Sequence, residues 1–163
     1  MPNDEPDDMG LGVPPPPVVF LGPLVLGLLL NRKLPAPFLP RRLSRILGLP
    51  LLSSGVLLMG WFHRTMWRAR TPIIGEPFVP GRPTSSLVTD GPFRYTRNPG
   101  YLAGAISYAG IASLTNALWV ILLLPVMLLM VQRTVIEREE RYLERKFGEE
   151  YLRYKARVRR WIW

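Results

Sequence analysis

Two short clusters carry residue types suited to chemistry. The first is Arg94-Tyr95-Thr96-Arg97-Asn98-Pro99-Gly100-Tyr101. The second is Glu139-Glu140, then Leu143, Phe147-Gly148, Tyr151 and Tyr154. A carboxylate such as Glu139 offers charge-assisted hydrogen bonds to an amine or a sugar hydroxyl. Glu140 beside it is the candidate general base for an acceptor that must lose a proton. Tyr101 can stack on a flat ring or face a cation, and Asn98 carries both a donor and an acceptor. Pro99 suits the first position of a helix, where its missing N–H is no loss. The free N–H groups around it favour an anion. Each feature also has a plainer reading. Asn98-Pro99 can be a helix cap, and the glutamates can pair with arginines along a solvated helix. Tyr151 and Tyr154 suit packing, and His63 suits a membrane interface.

The elements that must bring these clusters together are apolar. Blocks run from Val18 to Leu30, Ile46 to Phe62, Tyr101 to Leu114 and Ala117 to Val131. Each is short of the ~20 residues of a full membrane span. The last two, joined at Thr115-Asn116, read as a tight helical hairpin, and small residues from Ala103 to Ala112 allow close helix approach in lipid. A hairpin returns its two ends to one membrane face, so it makes neighbours of the two clusters. Between the second and third blocks, the segment from Pro72 to Pro83 is too rich in proline and glycine for a helix. Thr89-Asp90-Gly91-Pro92 is a turn signal. After the fourth block, Glu137 to Phe147 reads as an amphipathic helix, Gly148 stops it, and a basic helix runs from Glu149 to about Arg160.

The expected fold is therefore an all-α integral membrane protein. It has about four transmembrane helices, including the C-terminal hairpin, followed by amphipathic cytoplasmic helices. Its parts are an acidic, proline-rich, disordered lead-in (1–17), two membrane helices (18–62), a loop (63–98), the hairpin (99–133) and the amphipathic tail (134–163). The acidic start and the absence of a convincing cleavage site mark the first block as a retained helix rather than a signal peptide. The 163 residues suit one domain. With no cysteine and one histidine, disulfides and thiolate or histidine-rich metal sites are excluded. The net charge of +9 suits anionic lipid or nucleic acid. The apolar blocks favour lipid, and no nucleic-acid motif is present. The first join carries five Lys/Arg, against six in the long loop and ten in the tail, 16 in all on that side. The positive-inside rule then puts the loop and tail in the cytoplasm.

Taken in order, Arg-Asn-Pro-x-Tyr, a hairpin, Glu-Glu-x-x-Leu, Phe-Gly and a tyrosine-rich basic tail resemble the isoprenylcysteine carboxyl methyltransferase and phospholipid methyltransferase group of membrane enzymes. The resemblance covers residues 84–163. It implies methyl transfer from S-adenosylmethionine to a lipid-like or small hydrophobic acceptor, with no metal, at the cytoplasmic face of a bacterial inner membrane. It implies cofactor contacts from Asn98, Pro99, Gly100, Tyr101 and Glu139, and from Leu87, Val88 and Phe93 upstream. Prenylcysteine enzymes place a substrate-binding arginine four residues before the first glutamate. This chain has Val135 there, so Arg133 and Arg97 are the candidate substrate contacts. The alternative is a non-catalytic membrane protein whose basic tail binds anionic lipid or a partner.

Overall fold

The computed structural model describes residues 16–72 and 84–162. The expected lead-in, apart from Pro16 and Pro17, and most of the proline-rich segment lie outside those residues. The described residues form helices and turns, with no strand. Helices α1 (Pro16–Lys33), α2 (Arg41–Arg68), α3 (Pro99–Thr115) and α4 (Leu118–Val131) match the four apolar blocks. Helices α5 (Glu137–Phe147) and α6 (Glu149–Arg157) form the amphipathic tail, and Gly91–Arg94 is a 3-10 turn. The basic tail helix stops at Arg157, short of the expected Arg160, because Val158 turns to an extended backbone.

Asn116 makes the hairpin turn. Its φ of 50° places it in the left-handed region, where asparagine is tolerated far better than most residues. Its side-chain oxygen accepts from the backbone N–H of Phe38 and Leu39, both at 3.0 Å, and its amide donates to the Leu39 carbonyl at 2.7 Å. α2 then packs along α3, and α1 along α4. The α2–α3 approach depends on small residues. A Cβ on Gly110 would stand 2.5 Å from the Leu52 backbone nitrogen.

α4 and α5 are not separate helices. A π-turn at Gln132–Ile136 joins them into one continuous 30-residue helix, Leu118–Phe147. Such a turn accommodates one extra residue within a helix and re-aims the turns C-terminal to it. Val131, Val135, Ile136 and Glu140 are thereby all buried on either side of it.

Two helices, Arg41–Arg68 and Leu118–Phe147, are long and apolar enough to cross a membrane. In the first, Ile46 to His63 carries no charge between Arg45 and Arg64, a length of about 27 Å that matches a hydrocarbon core. The outward faces are apolar, with Leu57 73 % exposed and Ile46 65 % exposed. In the second, Leu118–Ile136 covers about 28 Å. The charged stretch Glu137–Phe147 follows it.

Candidate active site

The hairpin and the continuous long helix bring the N-terminus of α3 beside α5. Between them lies a cavity of about 610 Å³. Asn98, Pro99, Gly100, Tyr101, Glu139, Glu140, Arg97, Leu87, Val88 and Phe93 all border it. The two sequence clusters meet through one bond: the Tyr101 hydroxyl donates to Glu139 Oε1 at 2.7 Å. Aromatic rings surround this pair. Phe20 stacks on Tyr101 with ring centroids 6.3 Å apart, Phe62 faces Gly100, and Phe62 and Phe93 are 5.8 Å apart.

The two glutamates have opposite environments. Glu139 faces the cavity, and burial raises its carboxyl to about 7. The Tyr101 hydrogen bond offsets part of that rise, and neighbouring Glu140 adds to it. Glu140 is clamped between two guanidinium groups. Arg97 Nη2 reaches its Oε1 at 2.9 Å, and Arg160 reaches Oε1 and Oε2 at 3.1 and 2.7 Å. Burial alone would raise the Glu140 carboxyl, but the bonds from Arg160 and Arg97 outweigh it and hold it below its ordinary value.

Four of the expected site residues are engaged with other groups of the protein. Glu140, the candidate general base, has both oxygens occupied by guanidinium donors and its proton affinity depressed. Arg97, a candidate substrate contact, borders the cavity and is also bonded from within the protein. Its Nη1 donates to the carbonyls of Lys155 and Val158 at 3.1 and 2.8 Å, while Nη2 holds Glu140. Arg133 lies outside the cavity, with its side chain 74 % exposed and 3.9 Å from Glu137. Asn98 borders the cavity while its side-chain amide donates to the Arg160 carbonyl at 3.0 Å.

The tail therefore straps the site together. The Arg97 backbone N–H donates to Arg159 O at 2.9 Å, and the Thr96 hydroxyl donates to Arg160 O at 2.7 Å. The Tyr154 hydroxyl donates to Phe93 O at 2.8 Å. Sequence reasoning missed Arg160, and a single arginine in a basic run gives no signal. It also missed Phe20, Phe62 and Tyr108, which read as ordinary membrane-helix residues. Tyr108 is 2 % exposed, borders the cavity and has no hydrogen-bond partner for its hydroxyl among the described residues. Tyr151 and Tyr154 are buried, as packing residues are, yet both border the cavity. His63 does too, its ring 5.4 Å from Phe62. Among the described residues no cluster of three or more His, Cys, Asp or Glu could hold a metal.

The chain is 54 % identical over 37 residues to an uncharacterized protein of Haemophilus influenzae, covering 23 % of this chain and 59 % of that protein. It is 32 % identical over 78 residues to the cobalt-zinc-cadmium resistance protein CzcN of Cupriavidus metallidurans, covering 47 % of this chain and 36 % of the relative. It is 28 % identical over 72 residues to the nickel-cobalt-cadmium resistance protein NccN of Alcaligenes xylosoxydans, covering 44 % and 34 %. The chain thus spans between about a third and three fifths of the length of these curated relatives. No solved structure matches it. The family model described as phospholipid methyltransferase matches residues 43–150, which include α3, α4, α5, most of α2, the first motif and the second as far as Gly148, and the chain belongs to that family.

Proposed function

We propose that the protein is an integral membrane methyltransferase that uses S-adenosylmethionine to methylate a lipid-like or small hydrophobic acceptor. All four apolar helices cross the bilayer in this reading, with the cavity at the cytoplasmic face, as the excess of basic residues at that end suggests. The observation that carries the reading is the Tyr101–Glu139 hydrogen bond, which joins the two family motifs inside one cavity.

The residues present suit the donor. A carboxylate in an apolar wall complements an ammonium or a ribose hydroxyl. The rings of Phe20, Phe62, Phe93 and Tyr101 suit an adenine face and a sulfonium cation. Leu87, Val88, Pro99 and Gly100 complete an apolar enclosure that excludes water. When bound, S-adenosylmethionine supplies the methyl group: the acceptor's lone pair forms the new bond to carbon as the old bonding pair stays on sulfur. The protein's work is alignment. Glu139, with its raised proton affinity, is the group placed to take a proton that the acceptor releases. Arg97, Asn98, Glu140 and Arg160 act as positioning residues that fix the α3 entrance against α5.

Calorimetric titration with S-adenosylhomocysteine tests this reading. The wild-type chain binds, and Glu139→Ala and Tyr101→Ala lose binding by at least tenfold while remaining folded. Failure of the wild-type chain to bind, with liposome association retained, overturns it in favour of a non-catalytic lipid-binding protein.

A further inference from the structure

The hairpin end of the bundle, away from the cavity described above, gathers cations without anions. Arg32 and Lys33 close α1, and Arg41, Arg42 and Arg45 open α2. Helices α1 to α4 and the join between α1 and α2 contain no Asp or Glu. Among the described residues, none of the five cations makes a salt bridge. Local electrostatics disfavours this arrangement. Positive charge in the first turn of a helix opposes its dipole. Arg41 and Arg45 also stand one turn apart on the same face, where like charges repel. These two arginines border a second cavity, of about 360 Å³, with Asn31, Ser44, Thr115 and Asn116. Bonds within the protein hold its wall. The Leu118 N–H donates to Ala36 O at 3.1 Å, and the Ala36 N–H donates to Asn31 Oδ1 at 3.2 Å. The Ser44 hydroxyl donates to the Ser113 carbonyl. The Asn31 amide and both guanidinium groups have no partner among the described residues, so this cavity offers a ligand mainly donors. Arg45 directly precedes the uncharged stretch Ile46–His63 of α2. The cavity therefore lies at headgroup level when α2 crosses a membrane.

We propose that this second cavity holds the phosphate of an anionic phospholipid, clamped by Arg41 and Arg45. The inference needs α2 to cross a membrane and does not depend on methyl transfer. A guanidinium presents paired N–H donors that match a phosphate, and the bond is charge-assisted. The lipid phosphate supplies the anion that these helices lack, and it relieves the repulsion between the two arginines. Its acyl chains lie along the exposed apolar side chains of α2, such as Ile46 and Leu49. A free phosphate ion has the charge but no chains, so it gains nothing from that face. A zwitterionic headgroup brings its own ammonium, which the unpaired cations repel. Each basic residue that meets anionic headgroups adds about fivefold in affinity, and the pair adds about 25-fold.

The test titrates the full chain in detergent micelles with dioleoylphosphatidylglycerol, dioleoylphosphatidylcholine and dioleoylglycerol. Bound lipid is read by mass spectrometry of the intact complex. The wild-type chain is expected to hold phosphatidylglycerol about tenfold more tightly than the other two. Arg41→Gln and Arg45→Gln each lose about fivefold of that affinity, and the double variant about 25-fold. A charge-matched control, Arg153→Gln with Arg157→Gln, neutralises two exposed arginines of the tail and leaves the affinity unchanged. Phosphatidylglycerol raises the unfolding temperature of wild type and of the control but not of the Arg41/Arg45 double variant. Equal losses in the two double variants mean diffuse attraction and overturn the site. No preference of wild type for phosphatidylglycerol overturns it as well. Displacement of the lipid by millimolar inorganic phosphate makes the free ion the occupant and overturns the lipid assignment. S-adenosylhomocysteine is titrated into the same preparations. Its binding to the Arg41/Arg45 double variant shows an intact fold, and its failure to bind wild type sinks the methyl-donor reading alone.

Discussion

The two ends of the helical bundle solve the same problem with different chemistry. At the hairpin end, Asn116, Ser44, Asn31 and Trp119 satisfy backbone groups with neutral hydrogen bonds. None of these bonds uses a carboxylate. At the cavity end, the turn before α3 is tied to the tail through Thr96, Arg97 and Asn98, and a carboxylate is sandwiched between two guanidinium groups. A buried ionic cluster is a poor way to gain stability, since desolvation consumes much of its attraction. It is a good way to fix geometry, because removing any one member leaves a buried charge. The contrast teaches that the hairpin end only has to close, whereas the cavity end has to hold Glu139 and Tyr101 in register.

The most severe way to break that register is to delete Thr134 from the π-turn. Losing one residue rotates α5 by about 100° against α4 and carries Glu139 away from Tyr101. S-adenosylhomocysteine binding falls below detection, while circular dichroism stays helical. Retained binding would mean that the π-turn does not aim the glutamates. Next in size is Glu140→Ala, which strands Arg97 and Arg160. Thermal unfolding in detergent should show a loss of about 3 kcal/mol, as for other broken buried pairs. A change as small as that at an exposed pair would show that the cluster is solvated.

Much of this architecture was legible in advance, for identifiable reasons. The four apolar helices, the Thr115-Asn116 turn and the Gly148 stop each rest on local signals, namely apolar length and turn chemistry. Proximity of the two motifs came from the hairpin alone. The roles within the motifs were less legible. Glu139 and Glu140 are adjacent and identical in type, and nothing in their sequence says which bonds Tyr101 and which the two arginines. A π-turn has no pattern in residues such as Gln132 and Arg133. The bonds of Arg97 and Asn98 to the carbonyls of Val158 and Arg160 were not legible, because main-chain acceptors are invisible to residue-type reasoning. Phe20 entered the site through long-range packing, and its block signalled only an apolar helix.

Glu139 gives a pH test of the cavity end. Its carboxyl is raised to about 7 in the folded chain, so the folded state holds a proton that the unfolded state releases at lower pH. The native state therefore loses stability as pH rises from about 4.5 to about 7, and remains penalised above that. Glu139→Gln removes the penalty. At pH ~8 the variant should be more stable than wild type by about 3 kcal/mol, with the two converging below pH ~4.5. The same variant loses affinity for S-adenosylhomocysteine, so stability and binding move in opposite directions. A parallel pH dependence of unfolding in both proteins would place Glu139 in water rather than in an apolar wall.

The smallest effect belongs to the hairpin end, where Asn116→Gly keeps the left-handed backbone accessible and removes only the side-chain bonds to Phe38 and Leu39. Those backbone groups are part-buried at the bundle end, where water can replace most of what is lost. Unfolding stability should fall by about 1 kcal/mol. S-adenosylhomocysteine affinity should not change, because α2 still packs along α3 and α1 along α4, and the cavity lies toward the opposite end of the bundle. If Asn116→Gly weakened ligand binding as much as Glu140→Ala does, the two ends would be coupled through the helices. The division between an end that closes and an end that positions would then fail.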